Sequence, residues 1–201
     1  MTGVLIATSW TLKRTDNSCM AIRIYGNREI KTLPGEATRP TSSKVREALF
    51  NIWQGRVLGA KWLDLCAGSG AMGAEALCRG AAEVIGIEKS GAACRVVSQN
   101  WQKVSKEDQH YQVIRGDVVR QMKGITACDL VYFDPPYAGE LYPSVLAQLA
   151  DCLSDDGEAA VEYGGGHWRP DQLSDAVMKK LEIVREKRYG STCVAFFSRR
   201  L

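Results

Sequence analysis

From residue 61 onward, short apolar runs alternate with stretches of helical period. The runs at 61–65, 83–87, 111–114, 129–133 and 158–162 are too short for helices and are rich in branched and aromatic residues, which predicts strands. Helices are predicted between them, over roughly 71–79, 90–104, 118–123 and 141–153. Strands separated by helices form parallel β-α-β units with right-handed crossovers. The tail breaks the alternation. Two β-rich runs, 180–189 and 192–198, are joined by Gly190-Ser191 and predict an antiparallel hairpin that closes the sheet. Ahead of residue 61 the pattern predicts a small hairpin over 23–33 with its turn at Gly26-Asn27. After the break at Pro34-Gly35 comes RPTSSKVREALFNIW, residues 39–53. Pro40 followed by Thr41 and Ser42 starts a helix whose buried stripe is Val45, Leu49, Ile52 and Trp53, with Lys44, Arg46 and Glu47 off it. Residues 1–20 show no sustained period and read as a flexible leader, with Met20 an alternative start. The expected organisation is therefore the leader over 1–20, a hairpin-and-helix extension over 21–56, and an α/β domain over 57–201.

Composition narrows this picture only a little. A chain of 201 residues with 45% hydrophobic content suits one real core with a small appendage. The net charge of +3 permits nucleic-acid binding without arguing for it. Seven dispersed cysteines, no CxxC pair and two histidines argue against a metal site and for reduced thiols in the cytoplasm. No apolar run approaches a membrane span, and the opening residues lack the pattern of a signal peptide. A monomer is the default expectation.

The chemistry concentrates at the ends of predicted strands. Asp134-Pro135-Pro136-Tyr137 follows the run ending at Phe133. Two prolines fix two φ angles and remove two donors, so a carboxylate, the Pro135 carbonyl and an aromatic ring sit on a stiff elbow. In open α/β sheets, ligands bind at that carboxyl edge. Two acceptors can hold an exocyclic amino group while the ring stacks on its base. Upstream, Asp64-Leu-Cys-Ala-Gly68-Ser-Gly70-Ala-Met-Gly73 places G-x-G-x-x-G between a strand and a helix. That pattern serves a nucleotide or a tight packing turn. Asp64 would repel a pyrophosphate but pair with a cation, and Glu88, twenty positions after Gly68, can accept ribose hydroxyls. S-adenosylmethionine fits this set better than NAD. Asp117 is the natural partner of the adenine amino group or, equally, a helix N-cap. Arg185, Lys187, Arg188, Arg199 and Arg200 near the closing hairpin read as phosphate contacts or a solvated face.

These motifs together resemble a class I S-adenosylmethionine-dependent amino-methyltransferase. The chain is similar to the bacterial small-subunit (16S) rRNA guanine-N2 methyltransferase D family. The likeness runs from Ile22 to the carboxyl end, through RIYGNREIKTLP, RPTSSKVREALFN, LDLCAGSGAMGAEALCRGA, FDPPY and RYGSTCVAFF. It implies a Rossmann-like, seven-stranded, mostly parallel sheet with helices on both faces, S-adenosyl-L-methionine as donor, and a guanine of 16S rRNA or of an assembling small subunit as acceptor. Carried over by position, Asp64, Gly68, Gly70, Glu88 and Asp117 would bind the cofactor. Asp134, Pro135 and Tyr137 would handle the base. Arg39, Thr41, Arg46, Arg23 and Arg28 would lie near the RNA. Competing expectations are another acceptor (DNA adenine or protein glutamine), a non-catalytic RNA-binding assembly factor, and a dehydrogenase, which Asp64 disfavours.

Overall fold

The computed structural model describes residues 21–33, 43–136, 141–164, 166 and 168–200. The leader, and the candidate residues Arg39, Thr41 and Tyr137, lie outside the described residues.

In chain order the elements are β1 (Ala21–Ile24), β2 (Arg28–Lys31), α1 (Ser43–Ile52), β3 (Lys61–Leu65), α2 (Ala71–Cys78), β4 (Glu83–Glu88) and α3 (Gly91–Val104). They continue with β5 (His110–Arg115), α4 (Val118–Gln121), β6 (Cys128–Phe133), α5 (Leu141–Cys152), β7 (Leu153–Gly164), α6 (Asp175–Met178), β8 (Leu181–Tyr189) and β9 (Thr192–Arg199). β1 and β2 form a separate hairpin, and the other seven strands form one sheet in the order β5-β4-β3-β6-β7-β9-β8. The strands pair in parallel from β5 to β7, and β9 runs antiparallel between β7 and β8. The strand order reverses direction between β3 and β6, so the switch point of the sheet lies at their carboxyl ends.

Period-two alternation sends successive strand residues to two cores. Trp62 and Tyr132 pack with α1, α2 and α3, whereas Leu63, Leu65, Val131 and Phe133 pack with α4, α5 and α6. Helix α1 buries Val45, Leu49 and Phe50 on the first face, and Trp53, just past its end, is buried with them. Phe50 stacks on Trp62 at 5.2 Å between ring centroids, and Trp53 meets both Trp62 and Phe196 edge-on. The last turn of α1 is fixed by Glu158 of β7. Its carboxylate accepts from Trp53 Nε1 at 2.7 Å, Arg56 at 3.2 Å and Arg185 at 2.8 Å.

The structure departs from the sequence reading at three points. Arg46 is not off the buried stripe but 6% exposed. Its Nε donates to Glu75 Oε2 at 2.6 Å and its Nη2 to the Arg23 carbonyl at 2.8 Å. Glu75 also accepts from Arg79, whose guanidinium lies over the rings of Tyr25 and Phe50. A buried cation needs this full set of partners, so Arg46 joins α1, α2 and the hairpin. Secondly, β7 begins at Leu153, not 158, because Leu153 already pairs with Cys128 before an irregularity carries the register to Leu130 and Glu158. Ser154-Asp-Asp-Gly157 has turn composition and falls in that register jump, and continuous pairing with β6 and β9 starts at Glu158. Thirdly, the 3-10 turn Pro170–Gln172 and the four-residue α6 have no counterpart in the sequence reading.

Removing one partner of a buried ion pair strands the other. Glu75→Ala is expected to lower the unfolding free energy by about 3–5 kcal/mol in urea denaturation. Arg23→Ala, at an exposed side chain, should leave it nearly unchanged.

Candidate active site at the carboxyl edge of the sheet

The glycine-rich turn leaves β3 through a left-handed step. Cys66 has φ +64°, Gly68 +56° and Gly70 +73°. For a cysteine this conformation is strained, and strain of this kind collects at functional turns. The three glycines of the motif do different jobs. A Cβ on Gly73 would lie 2.3 Å from Trp101 Cζ2, and one on Gly70 would lie 2.8 Å from Trp101 Nε1. These two positions are glycine because the indole of α3 fills the space. Trp101 also donates to the Gly70 carbonyl at 2.8 Å. A Cβ on Gly68 would meet nothing within 4 Å. Gly68 is therefore the open position of the turn, and the packing alternative accounts for Gly70 and Gly73.

Asp64 sits near the end of β3 with 2% exposure. Its Oδ2 accepts from the Gly73 N–H at 3.1 Å, so it caps the first turn of α2, whose own N-cap, Gly70, has no side chain to do so. Glu88 ends β4. Its Oε2 accepts from the Gly68 N–H at 2.9 Å and its Oε1 from the Ser90 N–H at 2.7 Å. A carboxylate has about four acceptor positions, so these bonds aim Glu88 without exhausting it. Asp117 follows β5 and caps α4, accepting from the Arg120 N–H at 3.2 Å. The N-cap expectation for Asp117 thus holds. Asp134 directly follows β6, half-buried, with Pro135 buried and Pro136 exposed. Register brings the elbow to the turn, because Leu65 of β3 pairs with Phe133 of β6.

Electrostatics show how closely these groups converge. Burial pushes the Cys66 thiol up to about 12, and the carboxylates of Glu88, Asp64, Asp134 and Asp117 add to the rise. One thiol therefore feels all four acids singled out in the sequence. Burial also raises the Asp64 carboxyl to about 7, opposed by the Gly73 hydrogen bond and reinforced by Glu88. Among the described residues, no group of three or more His, Cys, Asp or Glu is placed to hold a metal ion, and no helix is long and apolar enough to cross a membrane. Of the candidate RNA contacts, Arg23 is exposed and paired with Glu29. Arg28 donates to the Val104 carbonyl at 3.0 Å and to Cys78 Sγ, which fastens the hairpin to α3. Sequence reasoning missed Asn100 and Trp101, which carry no motif. The only available signal was a polar-aromatic pair on the amphipathic α3.

A carboxyl edge with buried Asp64, half-buried Glu88 and Asp117 and an open glycine fits a ligand that is cationic at one end and a nucleoside at the other. S-adenosyl-L-methionine has that shape. The fold and site define the class of S-adenosyl-L-methionine-dependent methyltransferases. The chain belongs to the family described as Conserved hypothetical protein 95, whose pattern matches residues 22–198. It is 32% identical to Ribosomal RNA small subunit methyltransferase D of Escherichia coli (strain K12) over 184 residues, 89% of this chain and 90% of that one. A conserved hypothetical protein from Streptococcus pyogenes has the same fold, with TM-score 0.65 and 29% identity over 76% of this chain and 94% of its own. The fold is shared with a TehB-like SAM-dependent methyltransferase from Corynebacterium glutamicum, with TM-score 0.57 and 20% identity over 79% of this chain and 100% of that one.

The raised Asp64 carboxyl has a consequence for the ligand-free protein. The folded state keeps this proton up to about pH 7, whereas the unfolded chain releases it near 3.8. Between those values the unfolded state binds fewer protons, so this group's contribution is complete below the lower value and is lost as pH rises through the upper one. Wild-type stability relative to Asp64→Asn is expected to fall by up to about 1.4 kcal/mol per pH unit across that window. Urea denaturation at several pH values measures it; a difference that stays flat would return Asp64 to an ordinary carboxyl.

Proposed function

We propose that this chain transfers a methyl group from S-adenosyl-L-methionine to the exocyclic N2 amino group of a guanine in 16S rRNA. The observation that carries the reading is the meeting of the Asp134-Pro135 elbow with the acids of β3 and β4 at the switch point of the sheet. The names of the curated relatives, which are ribosomal RNA small subunit methyltransferases, and the resemblance of RPT…VREALFN and DPPY support the acceptor.

In this reading ionised Asp64 pairs with the ammonium of the cofactor, Glu88 accepts its ribose hydroxyls, and Asp117 accepts from its adenine amino group. Gly68 lets the ligand lie against the backbone. The bound cofactor supplies a methyl group already activated on a sulfonium, so no metal is needed. The guanine amino group is a poor nucleophile because its lone pair is conjugated with the ring. Asp134 and the Pro135 carbonyl accept its two N–H bonds and turn the lone pair toward the methyl carbon. Positive charge develops on nitrogen as the N–C bond forms and the C–S bond breaks, its electron pair passing to sulfur. Both acceptors then bind more strongly than in the ground state, which is where catalysis arises. The extra proton on nitrogen leaves to Asp134 or to water. In-line placement supplies most of the acceleration. Tyr137 stacks on the base, which must leave its own stack to enter; such stacking is worth about 1–3 kcal/mol. Arg23 and Arg28 on the hairpin, with Arg39 and Thr41, contact the RNA.

Labelled-donor methylation of free 16S rRNA, assembled small subunits and duplex DNA, followed by nucleoside mass spectrometry, tests the acceptor. N2-methylguanosine in rRNA is expected; label in DNA adenine, or none in rRNA, would overturn it. Asp134→Ala should reduce turnover by about a hundredfold or more while cofactor affinity stays within severalfold. Glu88→Ala should weaken cofactor binding first. Cofactor affinity should rise with pH up to about 7, where Asp64 becomes ionised, and Asp64→Asn should remove that dependence in calorimetric titrations.

A further inference from the structure

Asn100 lies on α3 with 2% exposure, and its amide serves two elements at once. Its Oδ1 accepts from the Lys31 N–H at 2.9 Å, and its Nδ2 donates to the Lys31 carbonyl at 2.9 Å and to the Ser69 carbonyl at 2.8 Å. Lys31 is the last residue of β2, so the amide pairs with the end of the hairpin as a neighbouring strand would. Ser69 lies in the glycine-rich turn between Gly68 and Gly70. Other bonds reach only one side. Arg28 to the Val104 carbonyl and Lys103 to the Glu29 carbonyl fasten the hairpin to α3. Trp101 to the Gly70 carbonyl fastens the turn. Among the described residues, Asn100 is the side chain seen to bond both.

We propose that Asn100 is a positioning residue through which RNA on the hairpin and cofactor at the glycine-rich turn strengthen each other's binding. The proposal rests on the functional reading above, in which those two elements face the two ligands. A buried amide resists independent movement of its partners. If the turn shifts alone, Nδ2 loses the Ser69 carbonyl; if the hairpin shifts alone, both bonds to Lys31 break. Either leaves polar groups unpaired away from water. A ligand that orders one element therefore lowers the cost of ordering the other, and the effect is reciprocal.

The test uses the full chain titrated with S-adenosylhomocysteine, the unreactive product of the donor, by calorimetry without and with saturating 16S rRNA. RNA is expected to tighten binding about fivefold or more in the wild type. Asn100→Asp keeps the shape and loses the Nδ2 donors. Its ratio should fall to about one while each ligand still binds alone, an outcome that a purely structural role would not produce. An equal ratio in both proteins, or a ratio of one in the wild type, overturns the coupling and leaves the functional reading standing. Failure of either ligand to bind the wild type overturns both. Because substitution at a buried site can prevent folding, amide exchange at Lys31 in the wild type gives a second measurement. S-adenosylhomocysteine alone should slow it, and an unchanged rate counts against the coupling.

Discussion

One indole sets the geometry on which the ligand edge depends. Gly70 in the turn, Gly73 in α2 and Gly86 in β4 all lie against Trp101, and a Cβ on any of them would come within 2.8 Å of its ring. Three side chains are absent so that one large side chain can fit between helix α3 and the sheet. Close packing of this kind has little slack. It draws α2 near enough for the Gly73 N–H to reach Asp64, and it holds the Gly70 carbonyl by a hydrogen bond. The backbone hydrogen bond to buried Asp64 goes with that approach, whereas Gly68 lies clear of the indole. Glycines in such a motif are usually credited to the ligand. Here two of the three in the turn motif answer to the protein's own core.

Helix α1 shows a second kind of constraint. Apolar contacts with Trp62 and Phe196 hold it against the sheet, yet such contacts alone permit sliding and rotation. Directional bonds remove that freedom at both ends: Arg46 with Glu75 near its start, and Trp53 and Arg56 with Glu158 at its finish. Fixing register is the best-attested use of buried polar pairs, which add little net stability over apolar packing. The helix is thereby pinned to α2, which follows the glycine-rich turn, and to β7, the neighbour of β6.

What the sequence disclosed, and what it concealed, follows the distance between interacting residues. β3 was legible to the residue because its apolar run, its flanking glycines and its acid are contiguous. Asp134 and Pro135 were legible because two prolines act locally on the backbone. Glu88 could be placed from the spacing of one β-α-β unit. Arg46 was misread because its partner is 29 positions away, and periodicity alone counts an arginine as solvent-facing. Asn100 was invisible for the same reason, with partners 69 and 31 positions distant. The extra length of β7 was hidden because only Leu153 pairs with β6 ahead of Glu158, and Ser154-Asp-Asp-Gly157 between them falls in the register jump, as its turn composition suggests.

The cluster of acids then explains why so much fixed structure surrounds one short turn. Bringing Asp64, Glu88, Asp117 and Asp134 within electrostatic reach of Cys66 places like charges together at a partly dry edge. Left mobile, these carboxylates would swing into water and separate. The backbone N–H groups of Gly68, Ser90, Gly73 and Arg120 hold three of them in place. Asp64 answers the remaining repulsion and its own burial by keeping its proton to about pH 7. A cation placed among these carboxylates would lower their mutual repulsion. On the functional reading proposed above, the same arrangement that makes the empty fold less stable near neutral pH favours a positively charged ligand over an anionic dinucleotide. On that reading selectivity comes from the fixed placement of the protein's own acids, which disfavours a second anion as it favours a cation.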